Sequence, residues 1–205
     1  MNYLELSIDG AKKQSVILAQ KIADSNFRPD CVVFIAKGAY LIGDSVAAYF
    51  NIPLLEISAS RKTNRFKSSI STLLKYIPRS VRKLLRKTEL RSGFHAGQTG
   101  RDVSFPPEKW EPYKDSSRIL IVDDSVDSGN TALAVTSAVR AYFPCAQIRF
   151  ASLNYFPSLS AVTPDYFLYQ DTILCGPWSK DSEEYHTFIA MYQSKILTQS
   201  QRNRP

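Results

Sequence analysis

The sequence predicts an α/β protein with a parallel sheet flanked by helices, and three observations predict it. Short apolar runs rich in Val, Ile and Phe stand at 31–36, 54–58, 118–122 and 147–154. Segments with helical spacing lie between them. Strands and helices alternate instead of segregating, which is the order of βαβ units.

The elements follow in chain order. Ile8, Ala11, Val16, Ala19 and Ala23 recur at helical spacing with lysines between, so Ile8 to Ala23 is read as a helix. Phe27-Arg28-Pro29-Asp30 is a turn, and Cys31 to Ala36 a buried strand. Lys37 to Tyr40 is a loop, Leu41 to Phe50 a helix, and Leu54 to Ser58 the next strand. The pattern then breaks over a polar, basic, turn-rich insert at about 60–117. Inside it Ile70, Leu73, Leu74, Ile77, Val81, Leu84 and Leu85 mark an amphipathic helix, interrupted at Pro78. Gly93 to Gly100 and Ser104 to Pro112 read as irregular loop. Strand Arg118 to Val122, helix Thr131 to Tyr142 and strand Gln147 to Asn154 resume the alternation. Tyr166 to Tyr169 is a further strand, Glu183 to Leu197 a terminal helix, and Thr198 to Pro205 should fray. There are no repeats and no dividing linker, so 1–205 is expected to be one domain.

Composition excludes several classes. The 205 residues are 44% hydrophobic and 12% aromatic, as a folded globular chain requires. No apolar run reaches the length of a membrane span, and Met1 to Asp9 lacks the form of a signal peptide. Cys31, Cys145 and Cys175 are odd in number and far apart, which reads as reduced thiols in a cytoplasmic protein. His95 and His186 have no ligand partner at metal spacing, so no zinc site is expected. The net charge is +7, and the excess is local: Arg61 to Arg91 holds eleven Lys or Arg against the single acid Glu89. Such a block favours a polyanion, whether a polyphosphate, an anionic membrane or nucleic acid.

The chemistry concentrates in Asp123, Asp124, Ser125, Val126, Asp127, Ser128, Gly129, Asn130 and Thr131. Two adjacent carboxylates leave a strand, a third follows, and a Ser-Gly-Asn-Thr turn opens a helix. Backbone N–H groups at a helix N-terminus cradle phosphate, and carboxylates beside them suit a sugar and a divalent metal. Read structurally, Asp127 is only a helix cap. That reading leaves the adjacent pair Asp123-Asp124 unexplained, because neighbouring like charges are costly without a cation.

This segment, Ile-Leu-Ile-Val-Asp-Asp-Ser-Val-Asp-Ser-Gly-Asn-Thr, resembles the signature of the type I phosphoribosyltransferases. The resemblance implies their fold, a parallel sheet flanked by helices with a small hood, here enlarged by the basic insert. It implies binding of 5-phosphoribosyl-1-pyrophosphate (PRPP) and Mg²⁺. Asp123 and Asp124 would hold the ribose hydroxyls and the metal. Asp127, Ser128, Gly129, Asn130 and Thr131 would cradle the 5-phosphate, with Asp127 also the general base. Lys37-Gly38-Ala39-Tyr40 stands where the family carries its pyrophosphate loop, so Lys37 and Gly38 join the PRPP site, with Arg61, Lys62 and Arg65 closing over it. Asp171 to Trp178 looks like the hood of xanthine–guanine enzymes, which places Ile173, Leu174 and Trp178 at the acceptor. Family members are often dimers, so a homodimer is expected.

The match departs in two places. Purine enzymes of the family carry a base-reading lysine after the strand corresponding to 147–154, and this chain reads Leu153-Asn154-Tyr155-Phe156-Pro157. The insert also carries Arg79, Arg82, Lys83, Arg86 and Lys87 around Val81, Leu84 and Leu85. That pattern suits either a helix on an anionic membrane or a helix folded onto the protein. In both departures the chain resembles bacterial phosphoribosyltransferase-like proteins that transfer 5-phosphoribose to a sugar hydroxyl of a lipid-linked glycan, and that resemblance implies such an acceptor, in polysaccharide biosynthesis at the inner face of the cell membrane. The alternatives are salvage of xanthine, guanine or hypoxanthine, and an inactive PRPP-sensing regulator. Nucleic acid is not an expected partner.

Overall fold

The computed structural model describes residues 2–61 and 100–202. The insert residues Lys62, Arg65, Arg79, Arg82, Lys83, Arg86 and Lys87 lie outside the described residues, as does the side chain of Arg61. The chain opens with β1 (Asn2–Glu5), α1 (Ile8–Asp24), β2 (Cys31–Ala36), α2 (Tyr40–Phe50) and β3 (Leu54–Arg61). After the insert come β4 (Arg101–Ser104), α3 (Pro107–Trp110) running into a 3₁₀ turn at Glu111–Tyr113, β5 (Arg118–Val126) and α4 (Asn130–Tyr142). It ends with β6 (Gln147–Tyr155), β7 (Tyr166–Gln170), β8 (Thr172–Cys175) and α5 (Tyr185–Arg202).

The main sheet has the order β4-β3-β2-β5-β6-β7. Every neighbouring pair is parallel except β3–β4. Central strand β2 and the Ile119–Val122 stretch of β5 are continuously apolar because both faces are covered. Side chains alternate across the sheet with period two. Val32, Phe34, Leu120 and Val122 face one layer with Leu18 and Ile22 of α1, Leu41 and Ile42 of α2, and Phe188 of α5. Val33, Ile35, Ile119 and Ile121 face the other, with Val135 and Val139 of α4 and Trp110. Each fully buried Ile or Leu contributes on the order of 2 kcal/mol, so these central strands hold the loops at their C-terminal ends in place. Ser7 caps α1, its hydroxyl accepting the Gly10 N–H at 3.0 Å.

The structure departs from the sequence reading in four places. Strand β5 runs to Val126 instead of stopping at Val122. Asp123, Ser125 and Val126 pair with Ser152, Asn154 and Tyr155 of β6, so the acidic doublet belongs to the sheet. The span read as loop before Arg118 contains β4 and α3. Trp110 is fully buried, stacked on Phe105 at 4.1 Å and on Phe143 at 5.7 Å. That apolar anchor joins segments more than thirty residues apart and leaves no local periodicity. The hood is a second, two-stranded sheet, in which β1 pairs in parallel with β8, Tyr3 opposite Ile173 and Leu4 opposite Leu174. Finally, α5 continues to Arg202.

Candidate active site

Three loops meet at the C-terminal ends of β2, β5 and β6, the edge at which parallel α/β sheets place ligands. At the end of β5 the chain turns through Asp127 and Ser128 to Gly129. Gly129 has φ +79° and serves as the N-cap of α4 with no side-chain hydrogen bond to the first turn. A Cβ there would lie 2.8 Å from Val162 Cγ2 and 3.2 Å from Val162 N, so only glycine fits. The first-turn N–H groups of a 13-residue helix, uncapped by a side chain, form an anion seat. A cavity of about 70 Å³ opens there, lined among others by Asp123, Asp127, Ser128, Gly129, Thr131 and Arg101. Asn130 is the first residue of the helix.

The Lys37–Tyr40 loop follows β2, the immediate neighbour of β5 in the sheet. Its Ala36–Lys37 peptide is cis. A Cβ on Gly38 would stand 3.1 Å from Asp124 Cγ, so this loop backs directly onto the second carboxylate. Lys37 is exposed, with its ammonium 5.9 Å from the centre of the Tyr192 ring. Tyr192 is itself held, its hydroxyl donating to Glu56 Oε1 at 2.7 Å. Two segments that the sequence places 85 residues apart, Gly38 and Asp123, thus share one site.

The carboxylates are strongly perturbed. Burial first, then the charge of Asp124, pushes Asp123 well above the usual carboxylate range. Burial first, then Asp127, raises Asp124, opposed by hydrogen bonds from the Trp178 indole and the Ser125 backbone. The Asp124 and Ser125 N–H groups donate to Asp123 Oδ1 at 2.9 Å and Asp124 Oδ1 at 3.0 Å. Carboxyls held this way take up a cation readily. Among the described residues no cluster of three or more metal-ligating side chains exists. A pair of carboxylates, with substrate and water completing the shell, is what Mg²⁺ accepts, so Asp123 and Asp124 fit that ion.

The three hood residues predicted from sequence separate. Ile173 packs on Phe156, both nearly fully buried. Leu174 points the other way, into the main core with α1 and α2, so its side chain is structural. Trp178 lies over the backbone of Gly176 and edge-on to Phe188 at 6.5 Å, close enough to Asp124 to lower that carboxyl's raised pKa.

Two site residues escaped the sequence reading. Arg101 brings a cation to the cavity from edge strand β4, whose four residues are too few for a periodic signal. Asn154 is fully buried and hydrogen-bonded to Ser125 and to Thr172. A polar residue inside an apolar strand run was the available signal.

Fold and site together define an α/β protein with an uncapped helix N-terminus beside an acidic pair. The family model of the phosphoribosyl transferase domain matches residues 9–168, and the chain belongs to that family. Three solved structures share the fold. The xanthine-guanine-hypoxanthine phosphoribosyltransferase of Helicobacter pylori has 16% identity and TM-score 0.64, over 91% of this chain and 99% of that one. The purine phosphoribosyltransferase of Pyrococcus horikoshii Ot3 has 20% identity and TM-score 0.59, over 88% and 96%. A hypothetical protein of Neisseria gonorrhoeae with bound ppGpp has 13% identity and TM-score 0.59, over 95% and 97%. Comparison with curated protein sequences gives no match.

Proposed function

We propose that the protein is a Mg²⁺-dependent purine phosphoribosyltransferase, which moves 5-phosphoribose from PRPP to xanthine, guanine or hypoxanthine and releases pyrophosphate. The observation that carries the reading is the junction of the uncapped α4 N-terminus, the acid pair and the Gly38 loop in one site. Phosphate, ribose and pyrophosphate then have neighbouring seats. Two of the fold relatives are named for purine transfer, which supports the acceptor. The glycan acceptor favoured by the sequence gains no such support. It rested on the missing lysine after 147–154, where the chain reads Leu153-Asn154-Tyr155-Phe156-Pro157, and on Arg79 to Lys87, which lie outside the described residues.

In the proposed reaction the bond from ribose C1 to pyrophosphate oxygen breaks, and the electron pair leaves with pyrophosphate. A purine nitrogen bonds C1 and gives up its proton. Asp127, which lines the cavity, accepts that proton as general base. Ser128, Gly129 and Thr131 hold the 5-phosphate through N–H and hydroxyl donors. Asp123 and Asp124 fix the ribose hydroxyls. Arg101, in the same cavity, adds a cation to the 5-phosphate seat, while Lys37 and Gly38 receive the pyrophosphate, joined by Arg61 and Lys62 from the edge of the insert. Asp123 and Asp124 would hold Mg²⁺, which would supply charge neutralisation for the leaving group.

The test is release of pyrophosphate from PRPP and Mg²⁺ with each purine in turn. Nucleotide formation is expected with at least one of them. Turnover only with a membrane extract or a sugar-lipid would restore the glycan acceptor. Tight PRPP binding with no turnover would make the protein a regulator.

A further inference from the structure

We infer that Asn154 is a positioning residue which, through the Ser125 hydroxyl, orients the Asp127 carboxylate and ties it to the hood strand β8. The inference rests on Asp127 being the base proposed above.

The atoms form one directed chain. The Thr172 backbone N–H donates to Asn154 Oδ1 at 3.2 Å. Asn154 Nδ2 donates to Ser125 Oγ at 3.2 Å. Ser125 Oγ donates to Asp127 Oδ1 at 2.9 Å. Its polarity is forced at both ends. A backbone N–H only donates, so the amide must present its oxygen to Thr172 and its nitrogen to Ser125. The hydroxyl is then engaged as acceptor, and an ionised carboxylate only accepts, so the hydroxyl proton points at Asp127. The side chain is placed by the sheet, since Ser125 and Asn154 are register partners in β5 and β6. Asn154 is fully buried, and its backbone carbonyl accepts the Ser152 hydroxyl at 2.9 Å.

A buried amide is retained at a cost unless its hydrogen bonds are made. Here they join the first residue of β8 to the carboxylate at the end of β5. One Asp127 oxygen is occupied by Ser125, which sets how the carboxylate is turned towards the cavity. The same amide holds the start of the strand that carries Ile173, so the hood and the base keep a common register.

The experiment compares Asn154→Ala, Ser125→Ala and Ser125→Thr, alone and on an Asp127→Asn background, by steady-state kinetics with PRPP and a purine. Amide exchange at Thr172 is followed in parallel. Loss of one such bond should lower kcat about ten-fold while the KM for PRPP holds. Ser125→Thr, which restores the hydroxyl, should recover most of that loss. On the Asp127→Asn background the Ala substitutions should cost nothing further, because the chain then has no base to orient. Thr172 exchange should accelerate in Asn154→Ala. Additive losses on that background, a rise in KM with kcat intact, or unaltered Thr172 exchange would each overturn the inference. A wild-type protein that turns over no purine overturns the reading beneath it instead, and that result is read before any variant is made.

Discussion

Replacing Gly129 with alanine tests the proposed phosphate seat at its tightest point. The residue has φ +79°, a conformation that costs an L side chain about 1–2 kcal/mol. The added methyl would sit 2.8 Å from Val162 Cγ2 and 3.2 Å from Val162 N. The side chain can rotate away, but the backbone nitrogen cannot move without shifting the 160–162 turn. Ser160 Oγ and Val162 O hold that turn at 2.6 Å, and Ala161 N to Ser128 O closes it at 3.2 Å. Overpacking of this kind adds about 1–3 kcal/mol. The loss should therefore be roughly 2–5 kcal/mol, and for a chain of this size Tm falls about 2–4 °C per kcal/mol. Thermal unfolding followed by circular dichroism gives the stability, and calorimetry with PRPP and Mg²⁺ gives the affinity. Both should drop. A Tm within experimental error of wild type, with PRPP affinity unchanged, would refute the packing of this loop against Val162 and its role as the seat.

Asp127→Asn should leave PRPP binding in place and reduce turnover by about 10²–10⁴, measured by pyrophosphate release; full turnover removes Asp127 as the base. Asp123 and Asp124 bind protons more tightly folded than unfolded. Their contribution to ligand-free stability is thus complete below the ordinary carboxylate range and is lost as pH rises through their raised values. Melting curves from about pH 4 upward should show that fall in wild type, and a shallower one in Asp124→Asn; parallel curves contradict the electrostatic account. Gly38→Ala places a methyl 3.1–3.3 Å from the Asp124 carboxyl, which must shift to admit it, and PRPP affinity should fall sharply in calorimetry; unchanged affinity would remove this loop from the site. Tyr192→Phe removes the bond to Glu56 at 2.7 Å and should cost about 1 kcal/mol in urea unfolding, with weaker pyrophosphate product inhibition as Lys37 loses its fixed neighbour.

Local signals determined the parts of this protein that local physics governs. Apolar runs and helical spacing placed α1, β2, α2 and β5 within a few residues, because burial on both faces of a parallel sheet leaves strands continuously apolar. The strand, turn and helix of Asp123–Thr131 were legible because they are contiguous in the chain. Tertiary structure decided everything that needs two distant segments at once. Gly38 meets Asp124, Trp178 lies near Asp124, and Leu174 turns into the core. Arg101 arrives from a four-residue edge strand, and β1 pairs with β8 across nearly the whole chain. Asn154 reads in sequence only as a polar residue in an apolar strand. Its partners are set by sheet register and by the approach of the hood, neither of which leaves a periodicity in the amino-acid order.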